Sequence, residues 1–169
     1  MITIRQARQD DAAILAAIGF RAWEDATRSI QTNEEIRENA RSAFAHFTLG
    51  AWHCILVAES DGTLAGWAAR ENSDDMISDF WIDPFYQRQG IGEMLLDRLE
   101  AQVLAAGFPS VKLESHADNE KALSFFRKHG YEVSWLSMKY ARKLDREVQS
   151  IGLRKQLKEF EMVTYGPSF

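Results

Sequence analysis

Residues 80–92 read Phe80-Trp81-Ile82-Asp83-Pro84-Phe85-Tyr86-Gln87-Arg88-Gln89-Gly90-Ile91-Gly92. Phe80, Trp81 and Ile82 are bulky residues that suit a pleated, buried surface. Pro84 has no N–H for a sheet ladder, so the strand ends there. Gly90 and Gly92 then open a helix with Ile91, Leu95, Leu96 and Leu99 on one stripe. The first turn of such a helix has free N–H groups and the positive end of the helix dipole. It is therefore a ready site for a phosphate or pyrophosphate. Gln87, Arg88 and Gln89 add side-chain donors beside it.

Three phosphate-loop patterns compete for this stretch. The dinucleotide fingerprint needs a third small residue where Leu95 stands, so it fails. The NTPase loop needs Gly-Lys-Ser/Thr, which is absent. What remains is Gln/Arg-x-x-Gly-x-Gly/Ala, met by Gln87, Gly90 and Gly92. A purely structural reading, in which the glycines only make a tight strand-to-helix turn, stands beside it.

Working outward, 169 residues suffice for one domain with a sizeable core. A net charge of −5 argues against general nucleic-acid binding, which calls for a basic patch. No apolar run approaches the roughly 20 residues of a membrane span. The N-terminus lacks the apolar core of a signal peptide. The single cysteine, Cys54, cannot form an internal disulfide, and a cytoplasmic location is the expectation. Cys54 reads as inert core in an apolar strand. The histidines show no metal-ligand spacing, so no metal is expected.

Ile2 and Ile4 alternate with polar neighbours in a first strand over 2–7. Asp10 and Asp11 are helix-capping residues, followed by a helix from Ala12 to about Ala26 with Ile14, Leu15, Ile18 and Trp23 as its stripe. Thr32 or Asn33 caps a second helix to about Leu49, with Gly50 ending it. A hairpin spans His53–Arg70 around Ser60-Asp61-Gly62. Met76–Asp83 is the strand before the glycine loop. A helix runs from about Gly90 to Ala106, a strand from Val111 to His116, and a helix from Asn119 to His129. A strand from Tyr131 to about Ser137, a basic loop with Lys139, Arg142 and Lys143, and a last strand from about Arg146 to Leu157 complete the order. The expected domain is 1–157, with a tail over 158–169.

This order, strands and then alternating strand and helix, is that of one mixed sheet with helices on its faces. With the glycine loop after Trp81-Ile82-Asp83-Pro84, it resembles the GNAT superfamily of N-acetyltransferases over residues 2–157. Asn119-x-x-Ala122-x-x-Phe125-Phe126 before Gly130-Tyr131 is similar to that family's second signature. The resemblance implies an α/β (α+β) fold: a single mixed, mostly antiparallel sheet of about seven strands flanked by about four helices. It implies acetyl-CoA as co-substrate and an amine acceptor, either a small molecule or a protein N-terminus.

By the same resemblance, backbone groups around Trp81, Ile82 and Asp83 pair with the pantetheine arm, and the Ile82 N–H polarises the thioester carbonyl. N–H groups of Arg88, Gln89, Gly90, Ile91, Gly92 and Glu93 hold the pyrophosphate, with Gln87 beside them. Lys121, Arg127 and Lys128 either meet the nucleotide phosphates or form a solvated helix face.

Glu114, five residues before Asn119, matches the catalytic glutamate of the ribosomal-protein alanine acetyltransferases. The alternative is a salt-bridged strand carboxylate paired with Lys112. Asp79 is the second candidate base, on the strand face of Trp81. His116 is a third, with an exposed strand histidine as its ordinary reading. Asn119 would reach the pantetheine, cap its helix, or do both.

Phe126 departs from the family, many of whose members carry a tyrosine there to assist the leaving thiolate. A phenylalanine can pack beside the thioester but cannot donate. The acceptor pocket is expected from the first two helices and the 137–145 loop, with Phe20, Trp23, Glu24 and Trp81. Core packing is the alternative for Trp23. The Phe80-Trp81-Ile82 strand and the last strand could support a homodimer.

Overall fold

A computed structural model describes residues 1–158. Most of the expected tail, 159–169, lies outside the described residues. The strands are β1 (Ile2–Gln6), β2 (Ile55–Ser60), β3 (Thr63–Ala69), β4 (Met76–Ile77), β5 (Asp79–Ile82), β6 (Ser110–His116), β7 (Glu132–Ala141) and β8 (Arg146–Gln156). The helices are α1 (Ala12–Ala26), α2 (Glu34–Ala51), α3 (Ile91–Ala105) and α4 (Glu120–Lys128).

The mixed α/β class is as expected, but the sheet is divided. One four-stranded sheet has the order β1-β2-β3-β5 and is antiparallel throughout. The other has the order β4-β6-β8-β7, with β4 parallel to β6 and the remaining pairs antiparallel. The division falls at Ser78, inside the expected strand 76–83. Ser78 directs its N–H (3.0 Å) and its hydroxyl (3.1 Å) to the Ala69 carbonyl, while Asp79 is registered on the same Ala69. Two residues facing one form a bulge, which bends the strand and breaks its pairing. Residues 76–77 therefore stay with β6, and residues 79–82 leave with β3.

Helices cover both faces. Ile91, Leu95, Leu96 and Leu99 of α3 and Phe126 of α4 pack on Leu56, Ala58, Ala68, Val111 and Leu113. Opposite them, Leu15, Ile18 and Trp23 of α1 and Phe44 of α2 pack on Ile55, Val57, Trp67 and Ala69. Each fully buried side chain of this size contributes about 1.5–3 kcal/mol. Trp67 also donates its indole N–H to the Leu15 carbonyl at 2.8 Å, tying α1 to β3.

Local chemistry explains most boundaries. Asp61 and Gly62 both have positive φ, 49° and 84°, as a two-residue hairpin turn requires. The Asn33 side chain caps α2 by accepting the Ile36 N–H at 2.9 Å. Five details differ from the sequence reading. Gly50 lies inside α2, which continues to Ala51. Ile14 faces solvent rather than the core. Asp11 makes no side-chain cap to α1 and accepts instead from the Arg5 guanidinium (2.9 and 3.2 Å) and the Arg8 N–H. Cys54 precedes its strand in a short 3-10 turn, half-buried, its thiol on the Ala51 carbonyl; burial pushes its pKa up. Finally, β7 continues through Ala141, so the basic loop shrinks to a tight turn at 142–145. Pairing with the long β8 keeps 138–141 extended.

Candidate active site

The site begins where the two sheets part. Strand β4 meets β6 only at Met76↔Lys112 and Ile77↔Leu113. Beyond that point β5 and β6 diverge with no pairing between them, leaving an open edge on each. The exposed groups on the β5 edge follow from its other side. The Asp83 N–H donates to the Ala65 carbonyl at 2.8 Å, and Trp81 is registered on Trp67. Backbone groups alternate in an antiparallel ladder, so the N–H groups of Phe80 and Ile82 point into the gap. The gap thus presents one strand's worth of unused hydrogen-bonding groups, suited to an extended amide chain.

Asp83 serves this edge from within. Its carboxylate is 3% exposed, caps the turn Pro84–Tyr86 through the Phe85 N–H (3.1 Å), and accepts from Arg21 of α1 (2.6 Å). Its carbonyl accepts the Tyr86 N–H. Both backbone groups of Asp83 are therefore used internally, and of the expected Trp81-Ile82-Asp83 set only Ile82 turns its N–H to the gap.

The glycine loop follows. Gln87, Arg88, Gln89 and Gly90 are exposed, and Arg88 and Gly90 have positive φ of 63° and 82°. Gly90 supplies no side-chain cap, and the first hydrogen bond into α3 is Met94 N–H to Gly90 carbonyl. The N–H groups of Ile91, Gly92 and Glu93 consequently have no partner within the helix. Gly92 matters for a different reason: a Cβ there would lie 3.2 Å from the Phe125 ring. The glycine lets α4 close against the start of α3, beside Ile82.

The two faces of the gap differ. Phe80, Ile82, Phe125 and Phe126 belong to the core on the α3/α4 side. Phe126 is 4% exposed, its ring 5.3 Å from Phe80, 5.1 Å from Phe125 and 5.2 Å from Tyr131. Asn119 caps α4 through the Ala122 N–H. Lys121 reaches Asp25 of α1 rather than standing free, while Arg127 and Lys128 are exposed.

On the α1/α2 side, Trp81 packs edge-on to Phe44 at 5.2 Å and donates its indole N–H to Asp79 at 3.0 Å. Asp79 also accepts from the Ser78 hydroxyl. Trp23 is buried in the core, stacked on Phe20, and Glu24 is held by Arg37. Of the four residues expected to line an acceptor pocket, Trp81 stands on β5 beside the gap and Trp23 packs in the core. The turn at 142–145 closes this side: Leu144 is buried, and Lys143 Nζ sits 4.8 Å above the Phe44 ring.

Strand parity places Lys112, Glu114 and His116 of β6 on this same face, opposite Val111 and Leu113. Glu114 is 40% exposed and ion-paired to Lys139 at 2.9 Å, with Lys139 in turn over the Trp135 ring. The expected partner Lys112 pairs with Asp75 instead. His116 is half-buried, not exposed. Sequence reasoning missed Arg21, which lies 62 residues from Asp83 and has no local signal. It also missed the burial of His116; the apolar alternation of β6 gives its face but not what covers it.

A sheet split around unused strand edges thus lies beside an uncapped, glycine-opened helix. The Acetyltransferase (GNAT) family model matches residues 17–131, and the chain belongs to that family. Solved structures agree on the fold. A GCN5-related N-acetyltransferase from Rhodopseudomonas palustris superposes with a TM-score of 0.76 at 24% identity, covering 92% of this chain and 95% of that one. The PaiA N-acetyltransferase of Thermoplasma acidophilum, solved with coenzyme A, gives 0.74 at 20% identity, covering 92% and 99%. A ribosomal-protein alanine N-acetyltransferase of Escherichia coli gives 0.71 at 21% identity, covering 98% and 100%.

Proposed function

We propose that this chain transfers the acetyl group of acetyl-CoA to a primary amine by direct attack in a ternary complex. The acceptor is a small molecule or a protein N-terminus. The observation that carries the reading is the unpaired β5 edge, with the Ile82 N–H turned into the gap a few residues before the uncapped start of α3. In that arrangement the Ile82 N–H donates to the thioester oxygen as negative charge develops there. The edge holds the pantetheine amides, and the N–H groups from Arg88 to Glu93, with Gln87, hold the pyrophosphate. The amine approaches from the face of Trp81 and Asp79. Holding the two reactants together supplies much of the rate, and no protein nucleophile is required.

Phe126 favours a second reading, an acyl-CoA sensor, because its buried ring has no hydroxyl to assist the leaving thiolate. A thiol pKa near 8.5 makes the thiolate a tolerable leaving group without that help, so transfer is the preferred reading.

Free-thiol release from acetyl-CoA separates the two. The panel is polyamines, aminoglycosides, amino acids and short peptides with free N-termini, and acetyl-CoA-induced change in melting temperature is measured alongside. Release with one acceptor class is the expected result. A raised melting temperature with no release for any amine would replace the enzyme with the sensor.

A further inference from the structure

We propose that two copies of this chain pair through the outer edge of β7, antiparallel, with a two-fold axis at Met138. The pairing is independent of the transferase reading.

The edge comes first. β7 ends its sheet, and its 10 residues are paired on one side only, to β8. An open edge is a template for another strand, which proteins ordinarily blunt with proline, free charge or brevity. β7 has no proline, and its one lysine, Lys139, is turned to Glu114. At the far end of the same sheet β4 has only 2 residues. The last strand, β8, from which the sequence suggested a homodimer, lies between β6 and β7 and has no free edge.

The face comes second. Val133, Leu136, Met138 and Tyr140 are 50%, 58%, 57% and 59% exposed. They are registered on Leu153, Ile151, Gln149 and Glu147 of β8, alternate residues that share one face of the sheet. The irregularity between Val133 and Trp135 keeps Val133 on that face with the three that follow. The other exposed large apolar side chains are spread over the N-terminus, α1, α2, α3 and the turn at Phe85. The stripe leaves on the order of 400 Å² of apolar surface in one patch, an extent that marks a contact site. This is about half of what each partner of a stable dimer buries. The strand edge and the side chains of its opposite face supply the remainder.

The pattern of the strand selects a second copy as the occupant. A two-fold axis at Met138 sets Met138 against its own copy, Leu136 against the second copy's Tyr140, and Ser137 against the second copy's Lys139. The apolar stripe therefore continues across the junction, and no like charges stand opposite one another. The two ends carry unlike charges. Glu132 starts the strand and Arg142 follows its end; both are exposed and neither has an ion pair among the described residues. Arg154, across from Glu132, turns to the Gln156 side chain, and Lys155 is taken by Glu100. Antiparallel pairing brings each Glu132 beside the second copy's Arg142, an isologous and self-complementary contact.

Sedimentation equilibrium of the full chain over a range of concentrations tests the pairing. Wild type is expected to be a dimer. Met138→Glu, which sets two carboxylates together at the axis, should be monomeric with the wild-type circular dichroism spectrum. Glu132→Arg should weaken the dimer severalfold, and Glu132→Arg combined with Arg142→Glu should restore it. Register is read by oxidation in a Cys54→Ser background: Met138→Cys should give a covalent dimer and Val133→Cys should not. A wild type that is monomeric at every concentration overturns the proposal, as does a dimer that survives Met138→Glu or cross-links through Val133→Cys alone. A monomeric wild type whose melting temperature falls in Met138→Glu would assign the stripe to residues 159–169 of the same chain instead.

Discussion

Arg21 and Asp83 form an ion pair of 2.6 Å that joins the middle of α1 to the turn between β5 and the glycine loop. The carboxylate is buried and the guanidinium is about half exposed. Asp83 also caps the turn through the Phe85 N–H. One side chain thus holds the loop that begins at Gln87 in its place relative to α1.

Removing either partner should therefore be felt in stability and in cofactor affinity together. Arg21→Ala leaves a buried carboxylate with only its backbone donor, and a loss of about 1–3 kcal/mol is expected, below the fully buried case because Arg21 is partly solvated. Asp83→Ala, which also loses the cap, should cost more. Urea denaturation and acetyl-CoA titration measure both effects; an Arg21→Ala protein with wild-type stability and affinity would show the pair to be idle.

The two loop glycines should respond differently to substitution. Gly90 has φ of 82° and open space around its missing Cβ, so the penalty is conformational. Gly90→Ala should cost about 1–2 kcal/mol, and Gly90→Asn less, because asparagine tolerates that region. Gly92 has ordinary backbone angles but lies against Phe125, so Gly92→Ala must push α4 from α3. Denaturation of the three variants gives the order, and equal losses for Gly90→Ala and Gly90→Asn would contradict it.

Phe126 is packed among Phe80, Phe125 and Tyr131, and the Tyr131 hydroxyl is itself buried without a hydrogen-bond partner. Restoring the family's tyrosine should bury a hydroxyl without a partner. Phe126→Tyr is expected to lose about 1–3 kcal/mol of stability and to change thiol release less than about tenfold. A larger acceleration would show that the ring edge reaches the sulfur and that leaving-group protonation limits the wild type.

The low pKa of His116 has a sign for stability. Between its depressed folded value and the ordinary value near 6.5, the unfolded chain binds the proton and the folded chain does not. Stability therefore rises with pH through that window and falls on acidification from 7. His116→Gln should flatten this part of the pH–stability curve, measured by urea denaturation at fixed ionic strength. An unchanged slope would mean that His116 is solvated.

The chain alone determined a great deal, because the signals involved are local. Pro84 stops a strand, Asp61-Gly62 makes a turn, Asn33 and Asn119 cap helices, and the Gln87–Gly90–Gly92 spacing marks the loop. Each acts through neighbours a few residues away, so each is readable in one dimension. Residues 80–92, together with the order of elements and the Asn119–Tyr131 signature, pointed to the family.

Tertiary structure decided what depends on pairing at a distance. The bulge at Ser78 exists because Ala69 accepts it, and that bulge divides the sheet and opens the gap. The choice of Lys139 for Glu114 follows from the β7–β8 hairpin, whose long pairing also turned an expected loop into strand. Whether Trp23 lines a pocket or the core, and whether His116 meets water or a sealed cover, depends on which elements fold over them. Burial and charge pairing come from the whole chain in three dimensions, so no single stretch carries them.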